Sequence, residues 1–202
     1  MSASTTSLAV VIASYHRLER IPRLVDEYCR QGADQIVVVL DGPHPGWQQV
    51  LMARRGMRVL ELAENKGLAL ARIAGLRAAT ADVILAVDDD VEPAPGLVER
   101  HRSFHASEPG DHVLQGYMPV ALPERRGRDD APTYLYASDY ETQVNGWRTG
   151  DSTLILTSLW GGNLSLRRSL YERAEDSKPS ERLEYNEDLD LGLRLLALGA
   201  SA

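Results

Sequence analysis

Three consecutive carboxylates, Asp88-Asp89-Asp90, follow the apolar run Val83-Ile84-Leu85-Ala86-Val87. Adjacent acids repel one another, and burying them without a counter-ion is costly. A hard divalent cation held by carboxylate oxygen relieves both problems. Mg²⁺ ordinarily takes one or two carboxylates and completes its shell with water and substrate phosphates. The triplet therefore points to a metal–diphosphate site. By itself it reads equally well as an acidic solvated loop after a core strand, or as the cap of the next helix.

The apolar run is short and rich in β-branched residues, as in a strand buried on both faces. Its acids then stand at the C-terminal end, where ligands bind in open α/β sheets. Leu8–Ala13, Ile36–Leu40 and Arg58–Leu62 read as three further strands. Helices are expected between them. Ile21–Arg30 carries Ile21, Leu24, Val25 and Tyr28 at helical spacing, with Pro22 in its first turn and Gly32 as a stop. Trp47–Arg55, Gly67–Ala79 and Pro95–His105 complete the set. This alternation predicts an α/β fold, a mainly parallel, doubly wound central sheet flanked by helices, with right-handed crossovers. Four polar loops then converge on one edge: Ser14-Tyr15, Asp41-Gly42, Asn65-Lys66-Gly67 and the acid triplet.

After His112 the pattern changes. His112–Val120 reads as a strand, and Pro123–Pro132, rich in Arg, Asp, Pro and Gly, as an exposed loop. Tyr134, Tyr136, Tyr140, Trp147 and Trp160 concentrate aromatic area in this half. They read first as a second packed layer and second as a surface that stacks on sugar rings. Gly161-Gly162 allow a ligand close to the backbone, and Leu164-Ser165-Leu166 is strand-like. Glu187–Ala197 reads as a helix with Leu189, Leu193 and Leu196 on one face, capped by Asn186, with acids in its first turn. There is no internal repeat and no linker between independent domains.

The 202 residues carry a net charge of −7 and no long basic run, which argues against a nucleic-acid partner. A single cysteine, Cys29, excludes an intramolecular disulfide framework and fits a reducing compartment. The first residues lack the charged and apolar regions of a signal peptide. No stretch nears the roughly 18 apolar residues of a membrane span. The expectation is a cytoplasmic protein, with peripheral membrane contact left open.

Five stretches, in order, carry a family resemblance: Val11-Ile12-Ala13-Ser14-Tyr15; Val39-Leu40-Asp41-Gly42; Asn65-Lys66-Gly67 through Ala71-Arg72 to Gly75; Asp88-Asp89-Asp90; and Asn186-Glu187-Asp188. From Leu8 to Leu198 the chain resembles a family 2 glycosyltransferase with the nucleotide-diphospho-sugar transferase (GT-A) fold. The resemblance implies one domain over residues 1–202, with 1–110 binding the nucleotide sugar and 111–202 serving the acceptor. It implies a metal-dependent, inverting transfer of a sugar from a nucleotide-diphospho-sugar, UDP- or dTDP-linked, to a hydroxyl on a glycan, a lipid-linked or a small-molecule acceptor. The cofactor implied is Mg²⁺ or Mn²⁺.

The same resemblance assigns roles. Ala13, Ser14, Tyr15 and Asp41 would hold base and ribose, with Asp41 accepting from the base's imide nitrogen. Asn65 and Gly67 would open a helix whose amides face the nucleotide, and Arg72 would face the nucleotide or its diphosphate. Asp88 and Asp89 would belong to the donor site, and Asp90 would ligate the metal with Asp88. Asp188 would be the base, supported by Glu187, and Trp160, Gly161 and Gly162 would lie on the acceptor side. The chain departs from the common pattern at Leu40, where a second acid is usual, at Ile73, where asparagine is frequent, and at Pro43-His44. These departures leave the base open. Many relatives continue past the Glu-Asp helix, so a truncated or compact member is expected. Two alternatives stand: a nucleotide-sugar-binding module without transfer activity, and a sugar nucleotidyltransferase, which would normally carry a glycine cluster after the first strand.

Overall fold

Residues 6–51, 56–125, 127–177 and 186–202 are described in a computed structural model of the chain. The four expected strands are β1 (Leu8–Ser14), β2 (Gln35–Leu40), β3 (Met57–Glu61) and β4 (Val83–Asp88). They pair in parallel in the order β3-β2-β1-β4. Side chains alternate between faces along a strand, and here both faces are covered. Val11, Ala13, Val37, Val39, Ile84 and Ala86 enter one core cluster, whereas Val10, Ile12, Ile36, Val38, Leu85 and Val87 enter the other. That is why these strands read as unbroken apolar runs. The register sets Ala13 beside Asp88 and Ser14 beside Leu40. The ends of β1, β2 and β4 therefore form one edge.

Helices α1 (Ile21–Arg30), α2 (Trp47–Val50), α3 (Leu68–Ala78) and α4 (Leu97–Ser107) connect and follow these strands. The helix expected to run to Arg55 is seen over α2, and residues 52–55 lie outside the described residues. Helix α3 lies hard against the sheet: a Cβ on Gly75 would stand 2.4 Å from Val11 Cγ1 and 2.9 Å from Val39 Cγ2. Gly75 and Arg72 are three residues apart, on one helix face. The close approach therefore also brings Arg72 down to the strand ends.

The second half departs from expectation. The strand expected over His112–Val120 is only β5 (Val113–Gln115). Pro123–Pro132 is not wholly loop: a 3₁₀ turn spans Arg128–Asp130, and α5 (Ala131–Trp147) begins before Pro132. Proline in the first helical turn is compatible with that start. Helices α6 (Ser152–Leu156) and α7 (Arg168–Asp176) were not anticipated, although Leu170, Tyr171 and Ala174 have helical spacing and are buried. Strand β6 (Asn163–Arg167) pairs antiparallel to both β4 and β5, completing a six-stranded mixed sheet. Its beginning thus lies at the end of β4, with Asn163 opposite Val87.

Helix α8 (Glu187–Ala197) forms as expected, but it buries Leu191, Gly192 and Leu195 and leaves Leu189 and Leu193 exposed. A Cβ on Gly192 would stand only 1.7 Å from the Leu156 carbonyl oxygen, so the contact with α6 turns that face inward. Asn186 occupies the cap position at φ 65° without a side-chain cap bond. No helix among the described residues is long and apolar enough to cross a membrane.

Candidate active site

A cleft of about 410 Å³ opens at the shared strand edge. It is lined by Ala13, Ser14, Tyr15, Arg17, Asp41, Asn65, Gly67, Leu68, Ala71 and the whole acid triplet. Asp41 is 3% exposed. Its backbone amide donates to the Ser14 carbonyl at 2.9 Å, and its Oδ1 accepts from the Lys66 amide at 2.7 Å. The Gly67 amide donates to Asn65 Oδ1 at 3.0 Å. Two amides expected to face a nucleotide are thus held by side chains of the loop's own setting.

The acids of the triplet point in different directions. Ser14 Oγ donates to Asp89 Oδ2 at 2.6 Å, and Arg17 Nη1 donates to Asp89 Oδ1 at 2.8 Å and to Asp90 Oδ2 at 2.7 Å. Asp88 turns the other way, towards Arg72.

Arg72 is 7% exposed, on α3. Its Nη2 donates to Asp88 Oδ1 at 2.8 Å, and its Nη1 to Asp188 Oδ1 at 2.9 Å and Glu187 Oε1 at 3.3 Å. Asp188 Oδ2 accepts from the Gly161 amide at 2.9 Å. Burial pushes the Asp188 and Asp88 carboxyls above the ordinary carboxylate value, with Arg72 opposing in both cases. Burial disfavours the Arg72 charge, but its three acid neighbours outweigh this and raise its pKa. A guanidinium stays protonated throughout the ordinary range in any case. Glycine leaves room at the crossing. A Cβ on Gly161 would meet Arg72 Nη1 at 2.4 Å and Asp188 Oδ1 at 2.7 Å, and one on Gly162 would meet Asp88 Oδ2 at 2.6 Å.

No group of three or more His, Cys, Asp or Glu side chains among the described residues is arranged to hold a metal ion. A cage made wholly of protein is therefore not what this edge offers. Asp88 Oδ2 and Asp90 Oδ1 accept no hydrogen bond among the described residues, and both acids line the cleft. Two hard carboxylate oxygens beside a cleft fit a cation that completes its shell with water and diphosphate.

Residues 9–172 match the sequence profile described as glycosyl transferase family 2. The chain belongs to this family. One relative of the family 2 domain is a Bacillus subtilis (strain 168) protein named "Uncharacterized glycosyltransferase YwdF", 28% identical over 140 residues, which are 66% of this chain and 52% of that one. Among solved structures, the fold matches a mannosyltransferase of Pyrobaculum calidifontis, solved with GDP-Man and Mn²⁺, at TM-score 0.64 and 17% identity over 96% of this chain and 54% of that one. It also matches S. aureus TarS 1-349 at TM-score 0.65 and 18% identity, over 94% and 55%. The mixed, mostly parallel sheet flanked by helices is that of GT-A transferases. The domain spans about half the length of these relatives.

Of the sequence-predicted residues, Ala13, Ser14, Tyr15, Asp41, Asn65, Gly67, Asp88, Asp89 and Asp90 come together around the cleft. Glu187, Asp188, Gly161 and Gly162 gather behind Asp88, around Arg72. The family resemblance sets Arg72 facing the nucleotide or its diphosphate. Its guanidinium is turned onto Asp88, Glu187 and Asp188, because three carboxylates converge where the helix meets the sheet. Sequence reading gave Arg17 no role at the site. Its signal was position alone, on the loop that leaves β1.

Proposed function

We propose that this family 2 domain transfers a sugar from a nucleotide-diphospho-sugar to an acceptor hydroxyl, with inversion at the anomeric carbon. One observation carries this reading: a single guanidinium, Arg72, ties Asp88 at the donor cleft to Asp188 on α8. An in-line displacement needs a diphosphate held on one side of the anomeric carbon and a base on the other. Asp188 is oriented by Arg72 and by the Gly161 amide, and it takes the proton of the attacking hydroxyl. Holding donor and acceptor in line supplies much of the rate. Asp88 and Asp90 would hold Mg²⁺ or Mn²⁺. Such a cation, when bound, offsets charge developing on the departing diphosphate. The solved mannosyltransferase with Mn²⁺ supports this choice.

A uridine or thymidine donor is the reading Asp41 supports best. Lys66 already occupies Oδ1, so Oδ2 remains for a base. One free carboxylate oxygen suits the single imide N–H of a pyrimidine better than the adjacent donor pair of guanine, and adenine offers no imide donor. Residues 111–202 would serve the acceptor, and the single cysteine supports a reducing compartment.

A binding module without transfer activity is the second reading. It is favoured by one fact: both Asp188 oxygens already accept hydrogen bonds. No glycine cluster follows β1, which speaks against a nucleotidyltransferase. Calorimetry with UDP, dTDP, ADP and GDP, with and without Mn²⁺, tests the donor half. Tight, metal-dependent UDP or dTDP binding is expected, and a purine preference overturns the base assignment. Donor turnover in Asp188→Asn tests the base. A loss of roughly 10²–10⁴-fold with unchanged nucleotide affinity is expected, and a near-parental rate places the base elsewhere.

A further inference from the structure

A second cavity, of about 460 Å³, lies on the other side of Asp88 and Asp90 from the donor cleft, and the two share those acids as a wall. Its volume falls in the usual range for small-molecule sites, about 300–1,000 Å³. Tyr136 from α5 and Trp160 line it with ring centroids 5.7 Å apart, and Tyr117 and Met118 border it. Tyr136 is 53% exposed and Tyr117 is 50% exposed, although Tyr140 beneath them is buried. Tyr140 and Trp147 are the members of this aromatic set that the core consumes. Tyr136 and Tyr117 are half-exposed in the cavity lining, and Trp160, packed in part against the core, lines it with them. Asn163 also lies in the lining, 2% exposed, with its amide nitrogen donating to the Tyr117 carbonyl at 3.4 Å.

The charges of this cavity are one-sided. Asp88, Asp90 and Glu92 line it, and no lysine or arginine does among the described residues. Arg72 and Arg17 engage Asp88 and Asp90 from outside its lining, and Arg23 pairs with Glu92. A cation bound with the donor would offset the first two acids. Its phosphate positions would be taken by the donor's diphosphate, and the cavity lining offers no further cation for a second phosphate among the described residues.

We propose that this cavity is the acceptor subsite and that it takes an uncharged sugar ring, packed by its C–H face on Tyr136 and Trp160, rather than a phosphorylated acceptor. An aromatic face provides apolar area at low conformational cost, and the Glu92 carboxylate in the lining can accept from a ring hydroxyl. The ring lies next to Asp88, and Asp188 stands behind Asp88 across Arg72. This inference rests on the transferase reading for the word "acceptor" and on the cavity alone for its ligand.

The test is saturation-transfer NMR on the full chain with Mg²⁺ and UDP. The probes are the methyl glycosides of glucose, galactose, mannose and N-acetylglucosamine, together with their 6-phosphates. At least one neutral glycoside is expected to bind about tenfold more tightly than its 6-phosphate. Tyr136→Ala is expected to weaken it about tenfold, Tyr136→Phe to retain it, and both to leave UDP affinity unchanged. Tyr136 is half exposed, so its removal does not empty the core. Equal or tighter binding of the 6-phosphates, no contact with any glycoside, or unchanged binding in Tyr136→Ala overturns the proposal. Glycoside binding without any nucleotide binding sustains the sugar site and overturns the transferase reading.

Discussion

Arg72 Nη1 donates to Asp188 Oδ1 at 2.9 Å across 116 residues of sequence. Its other terminal nitrogen holds Asp88, so one buried cation sets the spacing between a strand-end acid and a helix-start acid. Neither acid has a second basic partner in the hydrogen bonds described. Each has its pKa raised by burial and restrained by Arg72.

Arg72→Gln should therefore cost stability and shift the pH profile together. Removing one partner of a buried ion-pair set leaves uncompensated charge, typically a loss on the order of 3 kcal/mol. The folded pKa values of Asp88 and Asp188 already lie above their unfolded values. The folded state thus holds their protons more tightly, and the stability they contribute is present at low pH and lost as pH rises through the folded pKa. Without Arg72 both values rise further. The acid limb of the turnover profile should move to higher pH, and denaturation midpoints should fall more steeply as pH increases. An unmoved limb would separate Arg72 from the base.

Gly161→Ala tests the crossing without touching any charge. The added methyl would lie 2.4 Å from Arg72 Nη1 and 2.7 Å from Asp188 Oδ1, so one of them must shift. Overpacking of this kind costs about 1–3 kcal/mol. Turnover should fall at least about tenfold, given the sensitivity of rate to misplacement, while UDP affinity stays near parental. Parental turnover would show that the guanidinium position is slack.

Asp90→Asn addresses the cation. Arg17 already spans Asp89 and Asp90, so the fold has an internal counter-ion there and should survive the change. Metal-dependent tightening of UDP binding should shrink by about tenfold or more. Calorimetry that finds the same Mn²⁺ effect in variant and parent would remove Asp90 from the metal site.

His101 and His105 predict acid lability. Both contact Ser165 Oγ, at 2.7 and 2.9 Å. Burial, the largest cause in each case, pushes both imidazoles down to about 4. The unfolded chain then binds protons that the folded chain refuses, so stability is full above pH 6.5 or so and is lost as pH falls towards 4. The loss is about 1.4 kcal/mol per unit of depression for each ring. His101→Gln should flatten thermal-shift curves over that window, and an unchanged slope would assign the acid sensitivity elsewhere.

The sequence by itself determined the parallel half of the fold. Each strand there is buried on both faces, so it is written as a short apolar run, and each run ends in a polar loop on the same edge. The cleft residues from Ala13 to Asp90 were legible as neighbours because the chain's local order places them at the ends of these strands. The second half was less legible. Pro123–Pro132 has loop composition although α5 begins inside it, since proline at a helix start and proline in a loop are locally alike. The helix α8 was correctly placed, but which leucines it buries depends on the packing of Gly192 against Leu156, which periodicity does not reveal. Asp188 was singled out as a carboxylate, yet its partner was not. Only the antiparallel return of β6 brings Gly162 to Asp88, and only the seating of Gly75 on Val11 and Val39 lowers Arg72 between the two acids. Contacts between residues so distant in sequence are set by sheet register and close packing, and those are properties of the assembled chain.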